Sequence, residues 1–300
     1  PPGAAALLAA DVEVDELLAR VQALAVARPE DRIAAAPPTE PVGVRPGRVV
    51  GVAGPVGGAG VTELALEVAA QLAAAGRPTV LVDADELSPS LAQRLGLPVH
   101  PNLHTAVRAV ARSAPVDGCL HPLASRHALS VLPGMATADD WHTVRADDVV
   151  HLLGRLRSTG HTVVVDLGHC LPRAEGPTGM RFGHGRALAA HCSDLVVAAT
   201  PTPTVLARTI DLVAELTAAP GAPRAARCRL HVVLNRTGTD RYVTAESVGE
   251  LRRAVGASTV HVIGEDPRVP RAAWQGARVG RGRFRRQVRD LVEAAGWTRS

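Results

Sequence analysis

Three short stretches hold residue types that could do chemistry. The first is GPVGGAGVTELAL, residues 54–66, between the apolar run VVGVA and a helical pattern. Glycines let backbone N–H groups approach a phosphate, and a helix N-terminus behind them favours the anion. Gly57, Gly58 and Gly60 supply the glycines, and the pattern from Val61 onward supplies the helix. A common phosphate-binding loop also carries a lysine for the β- and γ-phosphates and a Ser/Thr for magnesium. Thr62 stands in the hydroxyl place, but Val61 stands in the lysine's. All 33 basic residues of the chain are arginine, so no lysine from elsewhere can take over.

The second stretch is VDADELSPSLAQRLGL, residues 82–97. Asp83 and Asp85 leave a strand two residues apart, which suits a magnesium ion and an attacking water. The third is HTVVVDLGH, residues 161–169, where Asp166 closes a very apolar strand. One carboxylate there suits outer-sphere magnesium binding. Each Asp alone could be a helix cap or a turn former. A Gly loop, DAD and VVVD in this order on successive strand–helix units is a much rarer coincidence.

The elements that must position these residues are legible as periodicity. Strand candidates are 48–53, 79–83, 129–132, 162–167, 195–199, 230–234 and 260–263. Helical patterns lie between them, as at 61–75, 147–158, 203–217 and 244–254. Near-continuous apolar strands alternating with helices predict an α/β fold: a mostly parallel sheet covered on both faces. Ligands of such sheets bind at the carboxyl ends of strands, where the three stretches fall. Residues 1–27 read as an apolar segment and a helix with Leu17, Leu18, Val21 and Leu24 at helical spacing. Residues 28–47 are Pro-rich and read as a linker. The segment 101–127 is polar and His-bearing and reads as a surface insertion. The chain opens on Pro1 without an initiator methionine, so a fragment or processed chain is expected.

From Arg48 to about Trp297 the chain resembles the MinD/ParA family of deviant Walker P-loop ATPases, within it most the CpaE/TadZ regulators of pilus assembly and secretion, of actinobacterial type. The family loop reads KGGxGK[ST]; here it reads VGGAGVT, with Val56 and Val61 at both lysine places. Asp83 and Asp85 match the family's second acidic motif, and Asp166 its Walker B aspartate. SDLVVAATPTPTVLARTIDLV, 193–213, is similar to the next strand–helix unit. LHVVLNR, 230–236, looks like the adenine-contact strand, and GEDPRVPRAAWQGARV, 264–279, like the loop over the base. The resemblance implies a P-loop domain over 48–300, with residues 1–27 the remnant of a receiver-like domain. It implies ATP or ADP with Mg2+ held by Gly57, Gly58, Ala59, Gly60, Val61, Thr62, Glu63, Asn235, Arg236, Asp266 and Pro267. Thr62, Asp83 and Asp166 would hold the magnesium, and Asp83 and Asp85 would be catalytic in an active member. It further implies a cytoplasmic homodimer, peripheral to the inner face of the membrane, serving pilus or secretion assembly proteins.

In that family the loop lysine balances phosphate charge and the first lysine reaches the partner's nucleotide. Valine does neither. Losing one such contact is worth roughly 3–4 kcal/mol of transition-state stabilisation, so hydrolysis should be very slow. Binding should survive better, through backbone amides and the helix dipole. Glu63 adds a carboxylate beside the loop, for which Arg94 and Arg271 are candidate partners. The alternative is an active partitioning or positioning ATPase acting on DNA or membrane.

Composition narrows the rest. Aromatic content of 2% disfavours base-stacking nucleic-acid binders. Cys119, Cys170, Cys192 and Cys228 are scattered without a CxxC pair, which fits reduced thiols. The twelve histidines are scattered too, and no metal is assigned to them. No apolar run reaches the roughly 18 residues that span a bilayer. Seven arginines lie between Arg271 and Arg289 and could touch DNA or anionic lipid weakly. Phe284, Val288, Leu291, Val292 and Ala295 share one helical face there, so a docked helix with solvated arginines is the stronger reading. A capsule-type tyrosine kinase would need a tail of tyrosines, and Tyr242 is the only one. A dinucleotide dehydrogenase would need a third glycine where Glu63 stands.

Overall fold

Short β-branched runs form strands where both of their faces can be buried. The computed structural model describes residues 46–124, 128–169, 171, 183–218, 228–256 and 260–298. The chain divides into two units, Pro1–Glu40 and Pro41–Ser300, and the second is the subject here. The expected receiver-like remnant, and all of the linker but Pro46 and Gly47, lie outside the described residues.

Eight strands form one sheet: β1 Val49–Ala53, β2 Thr79–Asp83, β3 His121–Ala124, β4 Leu129–Leu132, β5 Thr162–Asp166, β6 Asp194–Ala199, β7 Arg229–Thr237 and β8 Val260–Gly264. Their order is β3-β4-β2-β5-β1-β6-β7-β8, parallel except for β3 against β4. Alternate residues serve opposite faces, as the pleat requires. Val50 and Val52 of β1 pack on one side with Leu81, Val164 and Val196. Val49 and Ala53 pack on the other with Val80, Val163 and Val197. Each such aliphatic side chain, fully buried, contributes about 1.5–3 kcal/mol.

Helices cover both faces. On the first lie α1 Val61–Ala74, α2 Leu91–Leu95, α8 Arg268–Trp274 and α9 Arg283–Ala294. On the second lie α3 Leu103–Ala111, α4 Ala146–Ser158 and α5 Gly183–Ala189. The helices α6 Pro203–Ala218 and α7 Arg241–Val255 complete the cover toward β7 and β8. In α9, Phe284, Val288, Leu291 and Val292 are buried against α1, so the arginine-rich stretch ends in a docked helix.

Two segments depart from the sequence reading. The surface insertion expected at 101–127 contains α3 and the edge strand β3; residues 125–127 lie outside the described residues. Leu103, Ala106 and Val107 of α3 are buried, and the Asn102 side chain caps the helix by accepting from the Thr105 N–H at 3.3 Å. Pro122 hides β3 as a strand, yet a sheet edge is where a strand tolerates proline. The second departure is β7, which runs past the expected 234 to Thr237. Leu234 pairs with Val262 and Thr237 with Gly264, so β7 carries one extra residue, a β-bulge at 235–236.

A buried carboxylate lies between α1 and α9. Glu67 is 2% exposed, accepts from Gln71 Nε2 at 2.6 Å and lies 3.6 Å from Arg285 Nε. Burial pushes its pKa up from 4.5 to about 7, against the pull of Gln71 and the arginines. The folded state thus binds this proton more tightly than the unfolded chain. Stability must fall as pH rises from about 4.5 through about 7. We expect Glu67→Gln, which keeps the acceptor for Gln71, to remove that decline. It should raise stability at pH 8 by roughly 2–3 kcal/mol, measured by urea denaturation at pH 5 and pH 8.

Candidate functional site: a glycine loop at the carboxyl ends of the strands

Parallel strands deliver all their carboxyl ends to one edge of the sheet, and the cavity lies there. It measures about 420 Å³, within the range of small-molecule sites. Its floor is the loop between β1 and α1: Val56, Gly57, Gly58, Gly60, Val61, Thr62 and Glu63. Asp85 after β2, and Gly168 and His169 after β5, form one wall. Asn235 and Arg236 of β7, with Gly264 at the end of β8 and Glu265 and Asp266 after it, form another. Val269, Pro270 and Ala273 of α8, with Phe284, add an apolar side.

Gly60 stands at the N-cap of α1 with a left-handed backbone, φ 84°, and no side chain caps the helix. The first N–H groups of a helix have no acceptor within it. Here they head a cavity and not a capping side chain. A Cβ on Gly60 would come within 2.5 Å of Asn235 Nδ2, so only glycine fits this close approach. Asn235 in turn donates to the Ala59 carbonyl at 2.8 Å, and Arg236 Nη1 donates to the Gly58 carbonyl at 3.0 Å. The loop is thereby held from above by β7.

The aspartates separate into different tasks. Asp83 and Asp166 are register partners on adjacent strands, and Val52 pairs with Asp166 on the other side. Asp83 is 1% exposed and accepts three backbone N–H groups: Asp85 at 3.2 Å, Ser90 at 2.8 Å and Leu91 at 2.9 Å. It caps the start of α2 and does not line the cavity. Asp85 does line it. One Asp85 oxygen accepts the N–H groups of Leu87 and Ser88, each at 2.9 Å, and the other lies 3.9 Å from His169 Nδ1. A Cβ on Gly168 would overlap the Asp85 carboxylate at 2.3 Å, so glycine after β5 makes room for it. Asp166 is fully buried and accepts the Gly168 N–H at 3.1 Å, with the Thr62 hydroxyl close enough to favour its charged form, yet its Oδ2 has no partner among the described residues. Burial raises the pKa of both Asp83 and Asp166. For Asp166 the neighbouring Asp83 raises it further, while Thr62 and Gly168 oppose.

This arrangement fits a nucleotide with magnesium in part. An open helix N-terminus over three glycines suits phosphate oxygens. Thr62 at the cavity floor, backed by an orphaned Asp166 oxygen, suits an oxygen-loving cation. Among the described residues no group of three His, Cys, Asp or Glu side chains is arranged to hold a metal alone. A cation here would therefore be completed by phosphate and water. Of the other residues implied by the resemblance, Asp266 accepts from the N–H groups of Arg268 and Phe284 at 3.0 and 3.2 Å, tying the loop after β8 to α9. Pro267, at the N-cap of α8, is not among the residues lining the cavity, and neither is Ala59, whose carbonyl accepts from Asn235. Glu265 falls within the loop expected over the base, whereas Gly168, His169 and Phe284 are cavity residues that the sequence reading does not place at the site. The signal for Gly168 and His169 was their place directly after the strand that ends in Asp166.

With this geometry established, comparison with solved structures decides the fold. A ParA family ATPase from Chlorobium tepidum superposes with a TM-score of 0.69 at 21% identity, over 83% of this chain and 98% of that one. The chain has the fold of the ParA and MinD ATPases. An ATP complex of a McdA variant from Cyanothece gives 0.65 at 18% identity, covering 85% and 98%. The septum site-determining protein MinD of Pyrococcus horikoshii, solved with Mg-ADP, gives 0.59 at 17%, covering 84% and 98%. No protein-family model matches the sequence, and no curated protein is significantly similar to it. Among the described residues no helix is long and apolar enough to cross a membrane.

The loop's own carboxylate has found its partner. Arg94 Nη2 donates to Glu63 Oε2 at 2.9 Å, and Arg94 Nε donates to the other oxygen. Arg94 is 9% exposed and Glu63 19%, so the pair is largely desolvated. Arg271, the other candidate, is exposed on α8. Arg94→Ala leaves Glu63 unneutralised beside the helix N-terminus. We expect a loss of about 1–3 kcal/mol of stability, mostly recovered in the double variant Arg94→Ala/Glu63→Ala. A double-mutant cycle in urea checks it.

Proposed function

We propose that this chain is a CpaE/TadZ-like member of the MinD/ParA ATPases with a degenerate Walker A loop. In this reading it binds ATP or ADP and hydrolyses ATP very slowly. It serves as a localisation or assembly regulator for a Tad-type pilus or secretion system, as a cytoplasmic homodimer. The observation that carries the reading is the pairing of two losses with two retentions. Val56 and Val61 occupy both lysine places, while the Thr62–Asp166 contact and the open helix N-terminus are kept.

The roles follow from the residues. Backbone N–H groups of the loop and of the first turn of α1 take the phosphate oxygens. Thr62 and Asp166 face the place of a magnesium ion, which would neutralise phosphate charge there. Asp85 and His169 border the same end of the cavity. Asn235 and the apolar side made by Val269, Pro270 and Ala273 suit a flat ring. Similar folds bind such ligands, as in the Mg-ADP complex of MinD and the ATP complex of McdA. The rival reading is an active partitioning or positioning ATPase acting on DNA or membrane through Arg271–Arg289. The ParA and MinD names of the similar structures favour it. The valines count against it.

Calorimetric titration with Mg-ATP and Mg-ADP, beside a phosphate-release assay, tests the proposal. We expect micromolar binding, with turnover two to three orders of magnitude below the same chain carrying Val61→Lys. Turnover in the unmodified protein equal to that variant's would favour the rival. No binding at millimolar nucleotide would leave the loop a structural element and overturn the nucleotide reading.

A further inference from the structure

Consecutive residues of a regular strand point to opposite faces of the sheet. Asn235 and Arg236 do not obey this, because the bulge in β7 falls on them. Arg236 takes a left-handed backbone, φ 57°, which an ordinary side chain rarely adopts. The result is that two neighbouring side chains reach the same loop. Asn235 holds the Ala59 carbonyl and Arg236 the Gly58 carbonyl. A bulge that re-aims a side chain beside a ligand cavity is a recurrent device, and strained backbone gathers at such sites.

Charge makes the placement matter. The carboxylates lining the cavity are Glu63, Asp85, Glu265 and Asp266, and Arg236 is the only arginine lining it among the described residues. Arg94 is committed to Glu63, and Arg268 to Asp266 at 3.3 Å. Arg236 is half exposed and has a partner in Glu265 at 3.4 Å. A guanidinium has five N–H donors in a planar fork. One bond to Gly58 and one contact to Glu265 leave donors free to meet an anion on the loop.

We propose that Arg236, aimed by the β7 bulge, supplies the positive charge on the phosphates that Val56 and Val61 cannot. It is a phosphate-reading residue, not a base contact, and it sets the preference of the cavity for di- and triphosphates over monophosphates. The inference rests on the nucleotide-binding reading above.

The test is calorimetric titration of the whole chain with the magnesium complexes of ATP and ADP and with AMP. Asn and Gly both tolerate left-handed backbone, so Arg236→Asn and Arg236→Gly remove the guanidinium without straining the bulge. We expect both to raise Kd for ATP and ADP at least tenfold while changing that for AMP less than twofold. Val61→Lys added to Arg236→Asn should restore ATP affinity. The unmodified protein should lose ATP affinity with added salt more steeply than either variant. Equal losses for AMP, ADP and ATP, or no loss at all, would overturn the assignment while leaving nucleotide binding standing. Failure of the unmodified protein to bind any of the three would overturn the nucleotide reading and the assignment with it. Melting temperatures matched between the two variants and the parent exclude unfolding as the cause.

Discussion

The pairing of β1 between β5 and β6 is the constraint on which the site depends. With Val52 opposite Asp166 and Ala53 opposite Val197, the chain leaves the sheet at one fixed height. The loop then has only a few residues in which to turn into α1. That turn requires a left-handed backbone at Gly58 and Gly60, and it brings Thr62 back over the end of β5. The Thr62–Asp166 contact is therefore a consequence of register. A slip of one residue would send every side chain of β1 to the opposite face. It would also exchange the two packed halves of the core, so the loop geometry is protected by the burial of Val49, Val50, Val52 and Ala53.

Register also explains why the aspartates divide their work. Asp83 and Asp166 lie side by side on the same face, both fully desolvated, which disfavours two negative charges. Three backbone N–H groups stabilise the Asp83 carboxylate, and the start of α2 is fastened by it. Asp85, two residues on and past the sheet edge, is free of that task and faces the cavity. Of the pair that sequence spacing suggests as equals, one is a cap and one is a wall of the site.

Much of this was legible in the sequence because it is local. Apolar runs such as VVGVA and TVVVD, alternating with helical patterns, fit doubly covered strands. Gly57, Gly58 and Gly60 before a helical pattern announce a turn into a helix N-terminus. The face formed by Phe284, Val288, Leu291 and Val292 announced a docked helix. What escaped was set by distance or by backbone exceptions. The Glu63–Arg94 pair was half legible: the two lie 31 residues apart, the sequence offers Arg94 and Arg271 as partners, and only the packing of α2 beside α1 decides for Arg94. The edge strand β3 contains a proline that argues against a strand anywhere but an edge. The bulge at Asn235–Arg236 has no glycine to mark it, since arginine itself takes the left-handed conformation.

The absence of lysine changes the electrostatics of the whole cavity, not just of one contact. An ordinary phosphate loop places a mobile cation at the helix N-terminus. Here the charged side chain in the first turn of the helix is Glu63, and its charge is already spent on Arg94. What remains at the loop is partial charge from N–H groups and the helix dipole, together with Arg236 at the rim. Beneath them sit Asp83 and Asp166, whose pKa values are raised by burial and, for Asp166, also by the neighbouring Asp83. A divalent ion at Thr62 would oppose that rise directly, because opposite charge favours the ionised carboxylate. Anion and cation would then stabilise one another in this site more than either would be stabilised by protein side chains. On the nucleotide reading proposed above, a cavity built this way would hold a metal–phosphate pair more tightly than the free metal.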